Sequence, residues 1–112
     1  MVNDLASLDD VIAALAAPTR RRVVELLAHG PLRASEIADR VGLSRPAMSR
    51  HLAELRAARL VTVDFAEHDA RARSYRLAEE RLAVVQAWLD QVHAHWAEQL
   101  GAFKKHAEKA RS

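Results

Sequence analysis

The 112 residues predict a mostly α-helical domain with a small β-hairpin, in the order α-α-α-α-β-β-α and ending in a long helix. Three observations carry the prediction. Ser35 to Leu60 reads as two short helices hinged at Gly42-Leu43. After Leu60 the apolar period changes from helical to alternating, and from about residue 79 to 109 apolar residues recur at threes and fours. The chain, residues 1–112, is short enough to be expected as one domain.

Taken in order, Ser7 is placed to cap a first helix, with Asp10 as the reciprocal acid of a capping box. Leu8, Val11, Ile12 and Leu15 form its apolar stripe. Pro18 opens a second helix through His29, burying Val23, Val24, Leu26 and Leu27, and Gly30-Pro31 stops it.

Ile37, Ala38 and Val41 give the third helix one apolar face, and Gly42 follows where a helix end favours positive φ. Ser44 then caps a fourth helix, and Pro46 falls in its first turn, where a missing N–H costs nothing. Met48, Leu52 and Leu55 bury one side of that helix. At about 100° per residue, Pro46, Ala47, Arg50, Ala53, Glu54 and Ala57 face the other way, with Arg45 and Ser49 on a flank. Small residues, hydroxyls and arginines on an exposed N-terminal turn suit entry into a DNA major groove. The pattern is a helix-turn-helix over about residues 35–58. An αα-hairpin in an ordinary bundle has the same spacing, so the segments after Leu60 must decide between them.

Leu60, Val61, Val63 and Phe65 alternate, as does Arg73 to Leu77, with Ala66 to Ala72 as a polar loop between them. Two strands directly after a helix-turn-helix make a wing, here about residues 60–77. The final helix repeats Leu82, Val85, Leu89, Val92, Trp96, Leu100, Phe103 and Ala107. About 28 residues at 1.5 Å each give a rod of roughly 42 Å, more than so small a domain can cover. Its stripe therefore requires a partner, with the first helix and a second copy of the chain as the expected ones. Leu8, Ile12, Leu89, Val92, Trp96, Leu100 and Phe103 are the predicted dimer-interface residues.

Charge is unevenly spread. Residues 19–59 hold nine arginines against four acids, +5, while the rest of the chain carries −3 within a net charge of +2. The basic centre coincides with the helix-turn-helix, as a nucleic-acid surface requires. Cysteine is absent, which removes disulfides, thiolate metal sites and thiol nucleophiles. The first ten residues lack the basic and apolar regions of a signal peptide, and no apolar run approaches membrane-spanning length. A cytoplasmic location without membrane partners is expected. There is no Gly-rich phosphate loop, no Ser/His/Asp constellation and no pair of carboxylates in an apolar setting, so an enzyme is disfavoured.

In this order of elements the chain closely resembles the ArsR/SmtB family of bacterial winged-helix repressors. The likeness is carried by Leu15-Ala16-Ala17-Pro18-Thr19-Arg20-Arg21-Arg22, by Gly42 through Leu52, and by Arg73-Ser74-Tyr75-Arg76-Leu77. It implies a homodimer that binds a palindromic operator, often in its own promoter, and blocks transcription. It also implies release by a metal or another effector, whose identity the sequence leaves unknown. Three positions depart from the family pattern. Ala17 replaces a capping Asp or Asn; Arg33 stands where a capping Thr or Ser is frequent, with Ser35 as a substitute; and Arg59 replaces a usual glycine. A left-handed backbone at Arg59 would cost about 1 kcal/mol relative to glycine.

Ser44, Arg45, Pro46, Ala47, Ser49, Arg50, His51, Arg71 and Arg73 are the predicted DNA-binding residues. Ser44 and Ser49 are placed to hold phosphates. Arg45 and Arg50 can each read guanine through O6 and N7, or contact phosphate instead. His51 lies at the edge of the buried face, where a neighbour or a phosphate is its expected partner. Arg71 and Arg73 belong to the wing, at the minor groove or its phosphates. At least one of Arg20 to Arg22 is expected to pair internally with an acid.

No cofactor is expected. Zinc-type members of the family carry Asp-x-His, then ten residues on a His, and an acid or His three further along the last helix. Here His93-x-His95 and His106 keep the histidine spacing and are the metal-ligand candidates, but the leading Asp is His93 and the final position is Lys109. Asp90 is placed to serve His93 as a hydrogen-bond partner, and control by zinc is not expected. The functional expectation is a sequence-specific dimeric repressor with double-stranded DNA as partner. The alternative is a winged helix serving as a protein-interaction or architectural module, with only non-specific DNA binding.

Overall fold

The computed structural model describes residues 3–66 and 69–111, with side-chain surroundings for residues 8–65 and 73–110. Five helices and three strands follow one another: α1 (Asn3–Leu15), α2 (Pro18–Leu27), β1 (Leu32–Arg33), α3 (Ala34–Val41), α4 (Arg45–Ala57), β2 (Val61–Ala66), β3 (Asp69–Leu77) and α5 (Glu79–Arg111). The predicted order stands, with one strand added.

Local chemistry sets most boundaries. Pro18 occupies the first turn of α2, and Ala17 before it supplies no capping side chain. Gly42 ends α3 with φ 79°, a left-handed conformation that carries no Cβ penalty in glycine. The Ser44 hydroxyl oxygen accepts the Ala47 N–H at 3.3 Å and so caps α4. Arg59 has φ 62°, the one non-glycine residue with positive φ among those described.

Three expectations about boundaries need correction. Helix α1 begins at Asn3, so Ser7 lies inside it and not at its cap. Ser35 does not substitute for the missing cap of α3; instead the Glu36 carboxylate reaches back to accept the Arg33 backbone N–H at 3.1 Å. The interval Ala66 to Ala72 is not a long loop, since β3 begins at Asp69 and pairs with Ala66 of β2.

The sheet is antiparallel in the order β1-β3-β2, and Leu32 lies opposite Tyr75 and Arg33 opposite Ser74. Val61, Val63 and Asp64 of β2 face Leu77, Tyr75 and Ser74 of β3. The core sits where α1, α2, α3, α4 and the base of the sheet meet. Val11, Val23, Ile37, Leu55 and Leu60 have no exposed surface there, and Met48 and Leu52 almost none. Each such side chain contributes about 1.5–3 kcal/mol of burial. That core holds α4 rigidly by one side and leaves its other side to solvent.

Helix α5 departs from this packing. Leu82 and Val85 pack against the core, and Ala83, Val84, Ala87 and Trp88 line a groove with Leu8 of α1. Beyond it the helix projects as a rod. It has 33 residues, about 50 Å at 1.5 Å per residue, and the chain measures 74 × 33 × 20 Å. Leu89, Val92, Trp96, Leu100 and Phe103 are all exposed along it, from 47% to 73%.

Candidate nucleic-acid interface

Helix α4 presents the face that its sequence pattern requires. Ser44, Arg45, Pro46, Ser49 and Arg50 are exposed, whereas Ala47 and His51 are half-buried at the margin of the core face. No bulky apolar side chain interrupts the exposed N-terminal turn, so it can approach the floor of a groove. The guanidinium groups of Arg45 and Arg50 make no hydrogen bond or ion pair with other described residues and extend into solvent. Either can therefore meet a base edge or a phosphate without breaking an internal bond.

The wing stands beside this helix. Arg73 is exposed on β3, and its guanidinium lies over the ring of Phe65 on β2 at 5.0 Å from the centroid. Stacking of this kind restricts the arginine and holds its charge at the wing surface. Asp64 and Arg76 form an ion pair across the two strands at 3.6 Å. Both are more than half exposed, so its contribution to stability is small. The side chain of Arg71, another predicted contact, lies outside those described.

A cleft of about 770 Å³ separates the start of α3, the flank of α4 and the wing. It brings together Arg45 and Ser49, which the sequence singles out, with Arg73. It also adds Arg33, Ser35 and Tyr75, which the sequence does not assign to DNA. Residues 33 and 75 are legible there only as a departure from a cap and as part of a strand. The cleft that unites them depends on the pairing of β1 with β3, for which two residues give no periodic signal.

Arg20 to Arg22 also depart from expectation. Among the described residues none of them pairs with an acid; all three bind carbonyl oxygens at helix ends. Arg20 Nε donates to the Ala14 carbonyl at 2.6 Å, and Arg20 Nη2 reaches that of Ala13 at 3.4 Å. Arg21 Nη1 donates to the carbonyls of Leu15 at 2.7 Å and Ala16 at 3.2 Å, while Arg22 Nη2 donates to that of Arg40 at 3.3 Å. The last carbonyls of a helix lack intrahelical donors and carry partial negative charge, so cations from the next helix satisfy them. Arg20 Nη1 also lies 3.5 Å from His51 Nδ1, which gives the histidine its expected neighbour.

His93, His95 and His106 are all exposed on α5. Along one helix, residues 93 and 106 lie about 20 Å apart, so one chain cannot bring all three to a single ion. Among the described residues no three His, Asp or Glu side chains are grouped to hold a metal. Asp90 accepts from Gln86 Nε2 at 2.8 Å, in place of the expected contact with His93. A tetrahedral site would need ligands from the antiparallel last helices of two copies, and of the positions where the family pattern has acids or histidine, the first holds His93 and the last Lys109.

The predicted interface residues divide. Leu8 is already buried within the chain, whereas Ile12, Leu89, Val92, Trp96, Leu100 and Phe103 are exposed. No helix among the described residues is long and apolar enough to cross a membrane.

A helix-turn-helix with an exposed polar recognition face and an adjoining β-hairpin defines a winged-helix, DNA-binding transcriptional regulator. Comparison with known proteins gives the same class. Residues 17–63, from the start of α2 into β2, match the model of the bacterial regulatory protein, arsR family. A solved structure of an ArsR-like transcriptional regulator from Rhodococcus sp. RHA1 superposes with a TM-score of 0.75 at 31% identity, covering 90% of this chain and 92% of that one. The HTH-type transcriptional regulator Rv2034 of Mycobacterium tuberculosis is 58% identical over 48 residues, 43% of this chain and 45% of that protein. The transcriptional repressor SdpR of Bacillus subtilis is 34% identical over 55 residues, 49% of this chain and 61% of that protein. The chain thus spans less than two thirds of the length of these two curated relatives. It belongs to the ArsR family, whose members here are regulators and not enzymes.

Proposed function

We propose that this chain is a homodimeric, sequence-specific repressor that binds a palindromic operator in its own promoter through α4 and the wing. The observation that carries this reading is the pairing of two unsatisfied faces on one chain. Helix α4 offers exposed Arg45 and Arg50, which have no partner among the described residues, and α5 offers an exposed apolar stripe centred on Trp96. A second copy that covers the stripe places two recognition helices under one two-fold axis, which a palindromic site matches. SdpR, a relative named as a repressor, supports the direction of control. Ser44, Ser49, His51 and the wing arginines then hold phosphates and register, while Arg45 and Arg50 supply base reading. Neither repression nor operator binding requires a cofactor in this reading.

The test is binding to DNA upstream of its own gene against random duplex at one fixed salt concentration. The repressor reading expects a preference of roughly 10³-fold or more. Arg50→Ala should then cost about 1–3 kcal/mol and relax preference at one position per half-site. Equal affinity for both DNAs would favour an architectural module instead. Unaltered base preference in Arg50→Ala would reassign that residue to phosphate.

A further inference from the structure

We propose that Arg33 grips the DNA backbone, completing with Arg45 and Arg73 a three-guanidinium clamp on phosphate. The inference rests on the DNA-binding assignment of this domain and adds a residue from outside the recognition helix and the wing hairpin.

Arg33 is poorly suited to the helix that it begins. It occupies the N-cap of α3 with φ −76° and ψ 154°, yet a guanidinium has no acceptor for the helix's free N–H groups. Its positive charge also opposes the positive end of the helix dipole. Glu36 supplies the compensating contact, but to the Arg33 backbone N–H and not to its guanidinium.

The same residue is well placed for an anion. Pairing of β1 with β3 sets Arg33 opposite Ser74, the chain neighbour of Arg73. Arg33, Arg45 and Arg73 line one cleft, about 770 Å³ in volume, together with the hydroxyl-bearing Ser35, Ser49 and Tyr75. All three arginines are exposed, and none has an acid paired to its guanidinium among the described residues. Three cations around one cleft repel one another until an anion enters it. Guanidinium forks and hydroxyls are donors suited to phosphate oxygens. Because Arg45 and Ser49 belong to the exposed N-terminal turns of α4, the phosphate that reaches this cleft is the backbone of the duplex which α4 enters.

The experiment measures the salt dependence of binding to a fluorescently labelled random-sequence duplex, for the wild-type chain, Arg33→Ser and Arg33→Lys. Arg33→Ser should lower the slope of log affinity against log salt by about 1.8 for a bound dimer, the loss of one phosphate contact of about 0.9 in each copy. From that slope, affinity falls about thirtyfold at about 0.15 M KCl and converges with wild type toward about 1 M. Arg33→Lys should retain the wild-type slope. Thermal melting supplies the control, since the new serine can cap α3 and should raise the melting temperature while DNA binding weakens. An unchanged slope in Arg33→Ser overturns the proposal, as does a loss of affinity that accompanies a lowered melting temperature and is not restored by lysine. Wild-type protein without salt-dependent binding to duplex would overturn the DNA-binding assignment as well.

Discussion

Helices α4 and α5 carry the same kind of apolar stripe and meet opposite fates. Met48, Leu52 and Leu55 on α4 are buried by the chain itself, at 1%, 2% and 0% exposure. On α5, Trp96 is 61% and Phe103 73% exposed. The period of a pattern identifies which face needs cover; it does not identify what supplies the cover. For α4 the answer is the core built from α2, α3 and the sheet. For α5, no described residue covers the stripe beyond the groove against α1, and our proposal assigns the remainder to a second copy.

The largest expected effect tests that difference directly. Trp96→Ala should destabilise the dimer by about 3–5 kcal/mol, the usual cost of truncating a buried tryptophan. Sedimentation should show dissociation at concentrations where the wild type stays associated, and unfolding should become more dependent on protein concentration. A wild-type chain that sediments as a monomer would remove the dimer from the proposal.

Next in size is Leu55→Ala on α4. Its side chain has no exposed surface, and its loss should cost about 2–5 kcal/mol in denaturant unfolding. The dimer dissociation constant should not change, because Leu55 lies in the core of one chain. If association weakens as much as in Trp96→Ala, the two stripes belong to one cooperative unit and the contrast between them fails.

The smallest effect concerns the end of α4. Arg59 at φ 62° is strained, and Arg59→Gly should stabilise the chain by about 1 kcal/mol, measured by chemical denaturation. A loss of stability would show that contacts of the arginine outweigh its backbone cost.

The parts of the fold legible in the sequence are those governed by local chemistry. Gly42, Ser44, Pro18 and Pro46 act within a few residues of themselves, and each does in the fold what its own chemistry dictates. The stripes of α2, α3 and α4 are readable for the same reason. Long-range features are less accessible. Strand β1 has two residues, too few for an alternating pattern, and forms because β3 offers a free edge to Leu32 and Arg33. The carbonyl partners of Arg20 to Arg22 depend on how α1 and α3 end against α2, which charge counting cannot reveal. Ser7 misplaces the start of α1 because it offers a cap signal that the residues before it override. The candidate site is legible where it lies on α4 and obscure where it spans elements. Arg45 and Ser49 therefore stand out from the sequence, and Arg33 and Tyr75 do not.

The bonds of Arg20 have a mechanical consequence. One rigid, planar group is tethered to the carbonyl end of α1 and lies against the imidazole of His51, the residue after Arg50 on the reading helix. Helix α1 in turn rests on the rod through the groove that Leu8 shares with Trp88. A shift of α1 by about 1 Å relative to α4 would stretch the bond to Ala14 beyond hydrogen-bonding range or displace the guanidinium from the imidazole. The rod and the reading head are therefore not independent bodies on a loose hinge. Displacement of one is resisted, or transmitted, at a point one residue from the arginine assigned to base reading.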